Sequence, residues 1–373
     1  MLKKMSKFDS IRPYNDEEVS DILRELISNK DFIDIYFEAN QSKFLQKLPF
    51  KYSLARLVLN NKIKNITNIH DYQTIFKNLV ELMINQTCNQ INYEGIENIL
   101  SDNAYLFISN HRDITLDSTL LNYYLHQNNF KTTVNAVGNN LMNHKWASDL
   151  MRLNKSFIIQ RDSVSQREIY KSLNLASEFI CKSIFDDNQS VWIAQRQGRA
   201  KDGMDITDPS VLKMIHLFYR KELSIDEFFN KLKIVPVAVS YEFDPNDQSK
   251  AQERYLLSKG NEYKKTDNED LQSIINGVRG FKGNISLKIG SPLEVADNNY
   301  DDIASRIDDS IKDLYINHST NYAACELLGI DYEKRNFNDE EILKAKIELK
   351  KRMEPLTKEA HNLLLDQYSN SVL

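Results

Sequence analysis

The chain has 373 residues, of which 41% are hydrophobic and 27% charged, and its formal net charge is −5. This composition is typical of a folded protein, and the negative charge excludes a general attraction to nucleic acid or to an anionic membrane. The length allows one large domain with helical additions, or two domains. Cys88, Cys181 and Cys325 form no C-x-x-C pair, which argues for a reducing compartment and against a disulfide framework or a zinc site.

The N-terminal region is predicted to be helical. Its first residues are basic but have no apolar core, which argues against a secretory signal. No stretch approaches the roughly 18 apolar residues of a membrane-spanning helix. A helix is predicted after a cap at Asn15 or Asp16, with Val19, Leu23 and Leu26 on its apolar face, and a second one over Tyr72–Met83. We therefore expect a helical region over residues 1–95, in a protein that is soluble or rests on a membrane surface.

The centre of the chain alternates between strands and helices. Eight of the ten glycines lie between Gly138 and Gly290, as expected where strands and loops dominate. This alternation predicts an α/β domain over residues 96–300, with a mainly parallel central sheet flanked by helices. A helical C-terminal region is predicted over residues 301–373. The predicted strands are Ala104–Ser109, Thr132–Val137, Ser156–Ile159, Val191–Ala194, Ile234–Tyr241 and Ile285–Ile289, and the predicted helices are Leu116–Leu125, Ser165–Ser183, Ser210–Lys221 and Ile225–Leu232.

A histidine and two aspartates follow the first predicted strand of the domain, in the segment Ser109–Asp117. Ligand sites of α/β sheets lie at such strand ends. His111 could act there as a general base if a carboxylate held its other ring nitrogen. The alternative is a surface histidine with Asp113 as a helix cap. A protein-kinase catalytic loop is excluded because the asparagine required five residues after the aspartate is replaced by Ser118.

Two further strands are followed by basic residues. The strand that contains Phe157 leads to Arg161. The strand that contains Trp192 leads to Arg196, Gly198, Arg199 and Lys201, which combine cations with a glycine. An arginine fork suits a phosphate, and glycine permits close approach of the backbone. A solvated basic loop is the alternative interpretation.

In this order, the motifs resemble those of the glycerolipid acyltransferases, which include the glycerol-3-phosphate and 1-acylglycerol-3-phosphate acyltransferases. The resemblance covers roughly residues 104–294. The matching segments are Asn110-His111 with Asp117, Phe157-Ile-Ile-Gln-Arg161, Gln197-Gly198-Arg199, Val235-Pro236-Val237 and Ile289-Gly290-Ser-Pro292.

The resemblance implies transfer of a fatty acyl group from acyl-CoA or acyl carrier protein to the hydroxyl of glycerol 3-phosphate or 1-acylglycerol 3-phosphate, in phospholipid synthesis. It implies His111 and Asp117 as the catalytic pair. The acceptor phosphate would be held by Arg161, Arg196, Gly198, Arg199 and Lys201. No metal, cofactor or covalent intermediate is required, consistent with the lack of a G-x-S-x-G motif. A cytoplasmic protein, with peripheral contact to the cytoplasmic face of the membrane and no nucleic-acid partner, is expected.

The sequence departs from the family pattern at two places. The family separates histidine from aspartate by four residues, whereas five separate His111 from Asp117 and one separates it from Asp113. Asp117 is the predicted partner, since the helix then continues from it. Gln197 replaces the family's glutamate, which removes a charge. Two alternatives remain at this point: a non-catalytic phospholipid- or phosphate-binding protein on the same fold, and an acyl-thioester hydrolase.

Overall fold

The structure is a computed structural model, which describes residues 6–39, 50–139, 144–160, 165–260, 263, 265–266, 268–296, 298–333 and 336–373. The chain divides into two compact units, each built from two segments. Unit 1 contains residues 1–81 and 133–179, and unit 2 contains residues 82–132 and 180–373. The three-part division at residues 95 and 300 stays a prediction.

The described chain begins and ends with four helices, and its strands lie between them, interspersed with further helices. In chain order they are α1 (Asp16–Ser28), α2 (Lys30–Ala39), α3 (Lys51–Ile63), α4 (Ile69–Thr87), β1 (Cys88–Glu94), β2 (Leu106–Ser109), α5 (Leu116–Gln127), β3 (Val134–Gly138), α6 (Lys145–Leu153), β4 (Ser156–Ile159), α7 (Gln166–Phe185), β5 (Val191–Ala194), α8 (Pro209–His216), α9 (Ile225–Leu232), β6 (Ile234–Tyr241), α10 (Asp247–Ser258), α11 (Glu269–Arg279), β7 (Gly283–Ile289), α12 (Tyr300–Leu314), α13 (Ser319–Leu328), α14 (Asp339–Met353) and α15 (Lys358–Ser369).

Unit 2 contains a sheet with the strand order β1-β7-β6-β2-β5. β2 pairs in parallel with both β5 and β6, β1 pairs in parallel with β7, and β6 and β7 are antiparallel. Every residue of β2 and β6 is buried, as expected for strands covered on both faces. Ser109, the last residue of β2, lies opposite Ala194 at the end of β5. The segments that follow these two strands therefore leave the sheet side by side.

Unit 1 combines helices with a short pair of strands. β3 and β4 are parallel, with Asn135 opposite Ser156. Helix α1 begins after Asn15, whose amide donates to Glu18 Oε2 at 2.7 Å, and it buries Val19, Leu23 and Leu26. The first predicted helix is thus confirmed, with Asn15 as its cap.

The predicted fold class, an α/β fold with a mainly parallel sheet flanked by helices, is confirmed. The expected helical region over residues 1–95 also contains a strand that was not predicted, β1 at Cys88–Glu94. This strand has a polar sequence, CNQINYE, and none of its seven positions is fully buried, so it shows no apolar run. Helix α8 also ends at His216, five residues before the predicted end. Among the described residues, no helix is both long and apolar enough to cross a membrane.

Candidate active site

His111 lies two residues after the end of β2, where the chain turns towards α5. Its Nδ1–H donates to Asp117 Oδ2 at 3.1 Å, and the side chains are 14% and 0% exposed, respectively. A carboxylate accepts only, so this contact places the ring proton on Nδ1 and leaves Nε2 as the basic nitrogen. This is the arrangement that a general base requires. The contact predicted between His111 and Asp117 is present, while the catalytic role of the pair stays a prediction.

Asp117 is held by three further donors. Its Oδ2 accepts from the backbone amides of Arg112 at 2.8 Å and Asp113 at 3.0 Å. Its Oδ1 accepts from the Tyr241 hydroxyl at 2.9 Å. Burial, together with the negative charge of Asp117, raises the pKa of Tyr241 well above its usual value, so the hydroxyl remains a donor. Both carboxylate oxygens are thus fixed in place, and this also fixes the orientation of Asp117 towards the histidine.

Asp113 has a different environment from Asp117. Its Oδ1 accepts from the backbone amides of Thr115 and Leu116, both at 3.0 Å, at the start of α5. Its Oδ2 faces Gly277 of α11 so closely that a Cβ on Gly277 would lie 2.5 Å away. Burial, and then the charge of Asp117, raise the pKa of Asp113. Asp113 therefore fixes the entry to the helix, although the N-cap residue itself is Thr115.

A single carboxylate, that of Asp205, binds the residues on both sides of His111. Asp205 Oδ2 accepts from Asn110 Nδ2 at 3.0 Å and from Arg112 Nη2 at 2.7 Å. Asn110 is also fixed to β6, since it donates to the Val239 carbonyl at 2.9 Å and accepts from the Val239 amide at 2.8 Å. Arg112 is 7% exposed, and burial of such a charge is tolerated only when it is paired. Asn110, Arg112 and Asp205 thus form a buried support behind the histidine.

The segment 195–203, called the basic loop below, follows β5 and carries four of the predicted binding residues. It is joined to the histidine by the Ala200 amide, which donates to the His111 carbonyl at 2.7 Å. Arg199 Nη2 donates to Ser273 Oγ at 3.3 Å, and its Nη1 is buried without a hydrogen-bond partner among the described residues. Lys201 is paired with Glu253. Arg196 is half-buried, and Gly198 is exposed with φ of +75°, a conformation that favours glycine.

The predicted residues are therefore only partly assembled in the structure. His111, Asp117 and the basic loop all belong to unit 2 and are in direct contact. Arg161 lies outside the described residues. Gln197 is exposed. The described part of the chain contains no group of three or more His, Cys, Asp or Glu that could hold a metal ion.

Helix α15 supports the basic loop from the C-terminal side. Asn370 Nδ2, next to its end, donates to the Asp202 carbonyl at 2.7 Å. A Cβ on Gly203 would lie 2.5 Å from the Gln367 carbonyl, so only glycine fits there. The Arg112 guanidinium also stacks on Tyr315, 5.2 Å from the ring centre. The C-terminal helices are thus part of the framework of the site.

Sequence reasoning did not identify Asp205, Tyr241 or Lys250 as site residues. Lys250 is 1% exposed and donates to the Arg112 carbonyl at 2.7 Å and to Asp244. Asp205 and Lys250 lie in segments without a motif, so their sequence context contains no signal. Tyr241 ends the predicted strand Ile234–Tyr241, in which only Val235-Pro236-Val237 was matched to a motif. A polar side chain at the carboxyl end of a buried strand was the available signal.

Comparison with known proteins bears on the identity of this site. Residues 90–196 match the family model named Acyltransferase, a range that contains His111, Asp117 and Arg196. Among solved structures, the chain is similar to the 1-acyl-sn-glycerophosphate (LPA) acyltransferase PlsC from Thermotoga maritima, with 12% identity, a TM-score of 0.35, and coverage of 86% of this chain and 100% of that chain. It is also similar to the signal recognition particle receptor FtsY from Elizabethkingia anophelis in complex with GDP, with 10% identity, a TM-score of 0.23, and coverage of 83% and 97%.

Both TM-scores are low, and neither structural likeness bears on function. No curated protein sequence matches the chain. The family match overlaps the first part of the range that contains the ordered motifs, residues 104–294. It supports an acyltransferase-like segment over residues 90–196.

Proposed function

We propose that the protein transfers a fatty acyl group from an acyl thioester to the hydroxyl of glycerol 3-phosphate or 1-acylglycerol 3-phosphate. The observation that carries this proposal is the contact between the Ala200 amide and the His111 carbonyl, at 2.7 Å. It joins the general base to the basic loop within one site. An acceptor with a hydroxyl near a phosphate matches that combination of groups. Acyl-CoA and acyl carrier protein are the proposed donors.

The proposed reaction is a direct displacement. His111 Nε2 takes the proton from the acceptor hydroxyl while its oxygen attacks the thioester carbonyl. The carbon–sulfur bond then breaks, and the imidazolium returns the proton to the departing sulfur. Asp117 stabilises the imidazolium, because its carboxylate is already oriented towards Nδ1. No covalent acyl-enzyme is formed.

The proposed phosphate site is centred on Arg199. Its buried Nη1 has no hydrogen-bond partner in the described ranges, whereas the charge of Lys201 is already balanced by Glu253. Arg196 and the exposed backbone at Gly198 add donors around the same loop. Arg161 is proposed as a further phosphate ligand on the basis of its motif alone.

Mass spectrometry of the products tests the proposal. The protein is incubated with one acyl-CoA and, separately, with glycerol 3-phosphate, 1-acylglycerol 3-phosphate and glycerol. We expect acylated product with a phosphate-bearing acceptor and at least a tenfold lower rate with glycerol. Equal rates with glycerol would contradict the proposed acceptor class.

Release of free thiol from acyl-CoA separates this function from the two alternatives. Release that depends on the acceptor supports the transferase. Release that is independent of the acceptor supports a thioester hydrolase, in which water replaces the alcohol. Binding of glycerol 3-phosphate without any thiol release supports a non-catalytic binding protein.

We also propose that the protein works in the cytoplasm and contacts the cytoplasmic face of the membrane through α3, because the acylated products of this class are lipids. The helix exposes Leu54, Leu57 and Val58, and Phe50 precedes it with 76% exposure. Residues 50–64 contain four cations and no acidic residue, although the chain as a whole is negative. An exposed apolar face flanked by cations is typical of helices that lie on an anionic bilayer.

Co-sedimentation with vesicles tests this contact. We expect binding to vesicles rich in phosphatidylglycerol, weaker binding to phosphatidylcholine vesicles, and loss of binding in Leu57→Asp. Leu343→Asp serves as the control, since Leu343 is 57% exposed on α14 and Leu57 is 71% exposed on α3. Equal binding of both variants would contradict the role of α3.

A further inference from the structure

We infer that Asp205 is a positioning residue that holds His111 in a fixed position relative to the basic loop. The inference rests on the proposed function, since it concerns how a hydroxyl and a phosphate of one acceptor are held at the same time. It assigns a role to a residue that touches neither the substrate nor the reacting atoms.

One carboxylate oxygen of Asp205 is shared by two donors. Asp205 Oδ2 accepts from Asn110 at 3.0 Å and from Arg112 at 2.7 Å, so one atom binds the neighbours of His111 on both sides. The backbone of His111 lies between these two anchors. A displacement of Asp205 would therefore move the histidine by way of both neighbours.

Asp205 is close to the basic loop along the chain. It follows the basic loop by two residues, and Arg112 Nη2 also donates to the carbonyl of Gly203 in that loop at 3.1 Å. Together with the Ala200–His111 contact, these bonds connect residues 200–205 to the histidine segment through three residues, Ala200, Gly203 and Asp205. Of the three, only the Asp205 contact joins opposite charges, and charge-assisted hydrogen bonds are the stronger ones.

Asn110, Arg112 and Asp205 have little exposure to solvent. Asn110 is fully buried, Arg112 is 7% exposed, and the Asp205 side chain is 12% exposed. The carboxylate thus has little contact with solvent, and its charge is balanced by Arg112. Misplacement of a reacting group by about 1 Å costs about 10²-fold in rate. A contact that fixes the position of His111 relative to the basic loop therefore has a direct effect on transfer.

The test compares Asp205→Asn and Asp205→Ala with the wild type on two acceptors, glycerol 3-phosphate and glycerol. Glycerol offers the same hydroxyl without the phosphate and is not held by the basic loop, so its reaction depends less on the position of His111 relative to that loop. We expect kcat with glycerol 3-phosphate to fall about tenfold in Asp205→Asn and about 10²-fold in Asp205→Ala, with a much smaller fall for glycerol. A merely structural loss would lower both rates in the same proportion, and that result would overturn the inference.

Asp202→Asn is the matched control, because it removes the same charge three residues before Asp205. Within the part of the chain that the structure describes, the Asp202 side chain accepts only from the nearby Met204 amide, at 3.0 Å, and has no bond to the histidine segment. We expect its preference for glycerol 3-phosphate over glycerol to equal that of the wild type. If Asp202→Asn lowers the preference as much as Asp205→Asn, the effect comes from net charge and the inference fails.

A nuclear magnetic resonance measurement keeps the inference separate from the proposed function. The Nδ1 proton of His111, bonded to Asp117, is assigned by its loss in His111→Gln among the seven histidines. If the wild type acylates neither acceptor, the proposed function fails and this signal decides alone. A signal that moves or broadens in Asp205→Asn but not in Asp202→Asn supports the positioning role, and an unchanged signal overturns it.

Discussion

The Tyr241 hydroxyl donates to Asp117 Oδ1 at 2.9 Å, and both side chains are buried. A hydrogen bond to a charged acceptor contributes about 1.5–3 kcal/mol. We therefore expect Tyr241→Phe to lower the free energy of unfolding by about that amount and to reduce kcat, because Asp117 loses one of the donors that orient it. Urea denaturation and steady-state kinetics measure the two effects.

Tyr93→Phe is a suitable control for this substitution. The Tyr93 hydroxyl is buried, and within the described residues it has no hydrogen-bond partner. Its removal should leave the free energy of unfolding unchanged or slightly raised. An equal loss in both variants would show that the contact with Asp117 has no special weight.

The two aspartates near His111 should differ sharply in their effect on activity. Asp117→Asn removes the charge that stabilises the imidazolium, and we expect kcat to fall at least about 10²-fold, as for His111→Ala. Asp113→Asn should retain activity within a few-fold, since an amide oxygen can still accept from the Thr115 and Leu116 amides. Single-turnover rates at saturating acceptor measure this difference. If Asp113→Asn is the inactive variant, the assignment of the pair is wrong.

Arg199 and Lys201 should also differ. Loss of an arginine–phosphate contact costs about 1.5–3 kcal/mol, so Arg199→Ala should raise the KM for glycerol 3-phosphate by about 10- to 150-fold. Lys201→Ala should raise it less, because Lys201 is paired with Glu253. Initial rates over a range of acceptor concentrations test the order. A larger effect at Lys201 would contradict the proposed centre of the phosphate site.

Much of the site could be predicted because its parts follow buried strands. The apolar runs that contain Phe107 and Trp192 mark β2 and β5, and polar residues after such strands meet at one edge of a parallel sheet. The pattern also favoured Asp117 over Asp113, because α5 continues from it. These inferences use only local sequence and the general geometry of α/β sheets.

The residues that support the site could not be predicted in the same way. Asp205 acts through contacts with Asn110 and Arg112, which are 95 and 93 positions away in the chain. Such partners are set by the tertiary fold, and a single charged residue in a loop does not indicate them. Strand β1 was missed for a related reason: at the edge of the sheet it has too few buried side chains to produce an apolar run.

His318 should make stability depend on pH. It precedes α13, is 5% exposed, and its Nε2 lies 3.1 Å from Ser240 Oγ, next to Tyr241 on β6. Burial lowers the pKa of His318 from 6.5 to about 4. Between these two values the unfolded chain binds more protons than the folded one, so the stabilising contribution is full above pH 6.5 and is lost as the pH falls towards 4.

This shift corresponds to about 3 kcal/mol between the two ends of the window. Asparagine is favoured at helix caps and cannot titrate. We therefore expect His318→Asn to lose less stability on acidification than the wild type. Urea denaturation at pH 7.5 and pH 4.5 provides the comparison, and the difference between the proteins removes the contribution of carboxylates that titrate in both. If wild type and variant lose the same free energy over this window, His318 is not the group responsible, and the link between β6 and α13 does not depend on its charge.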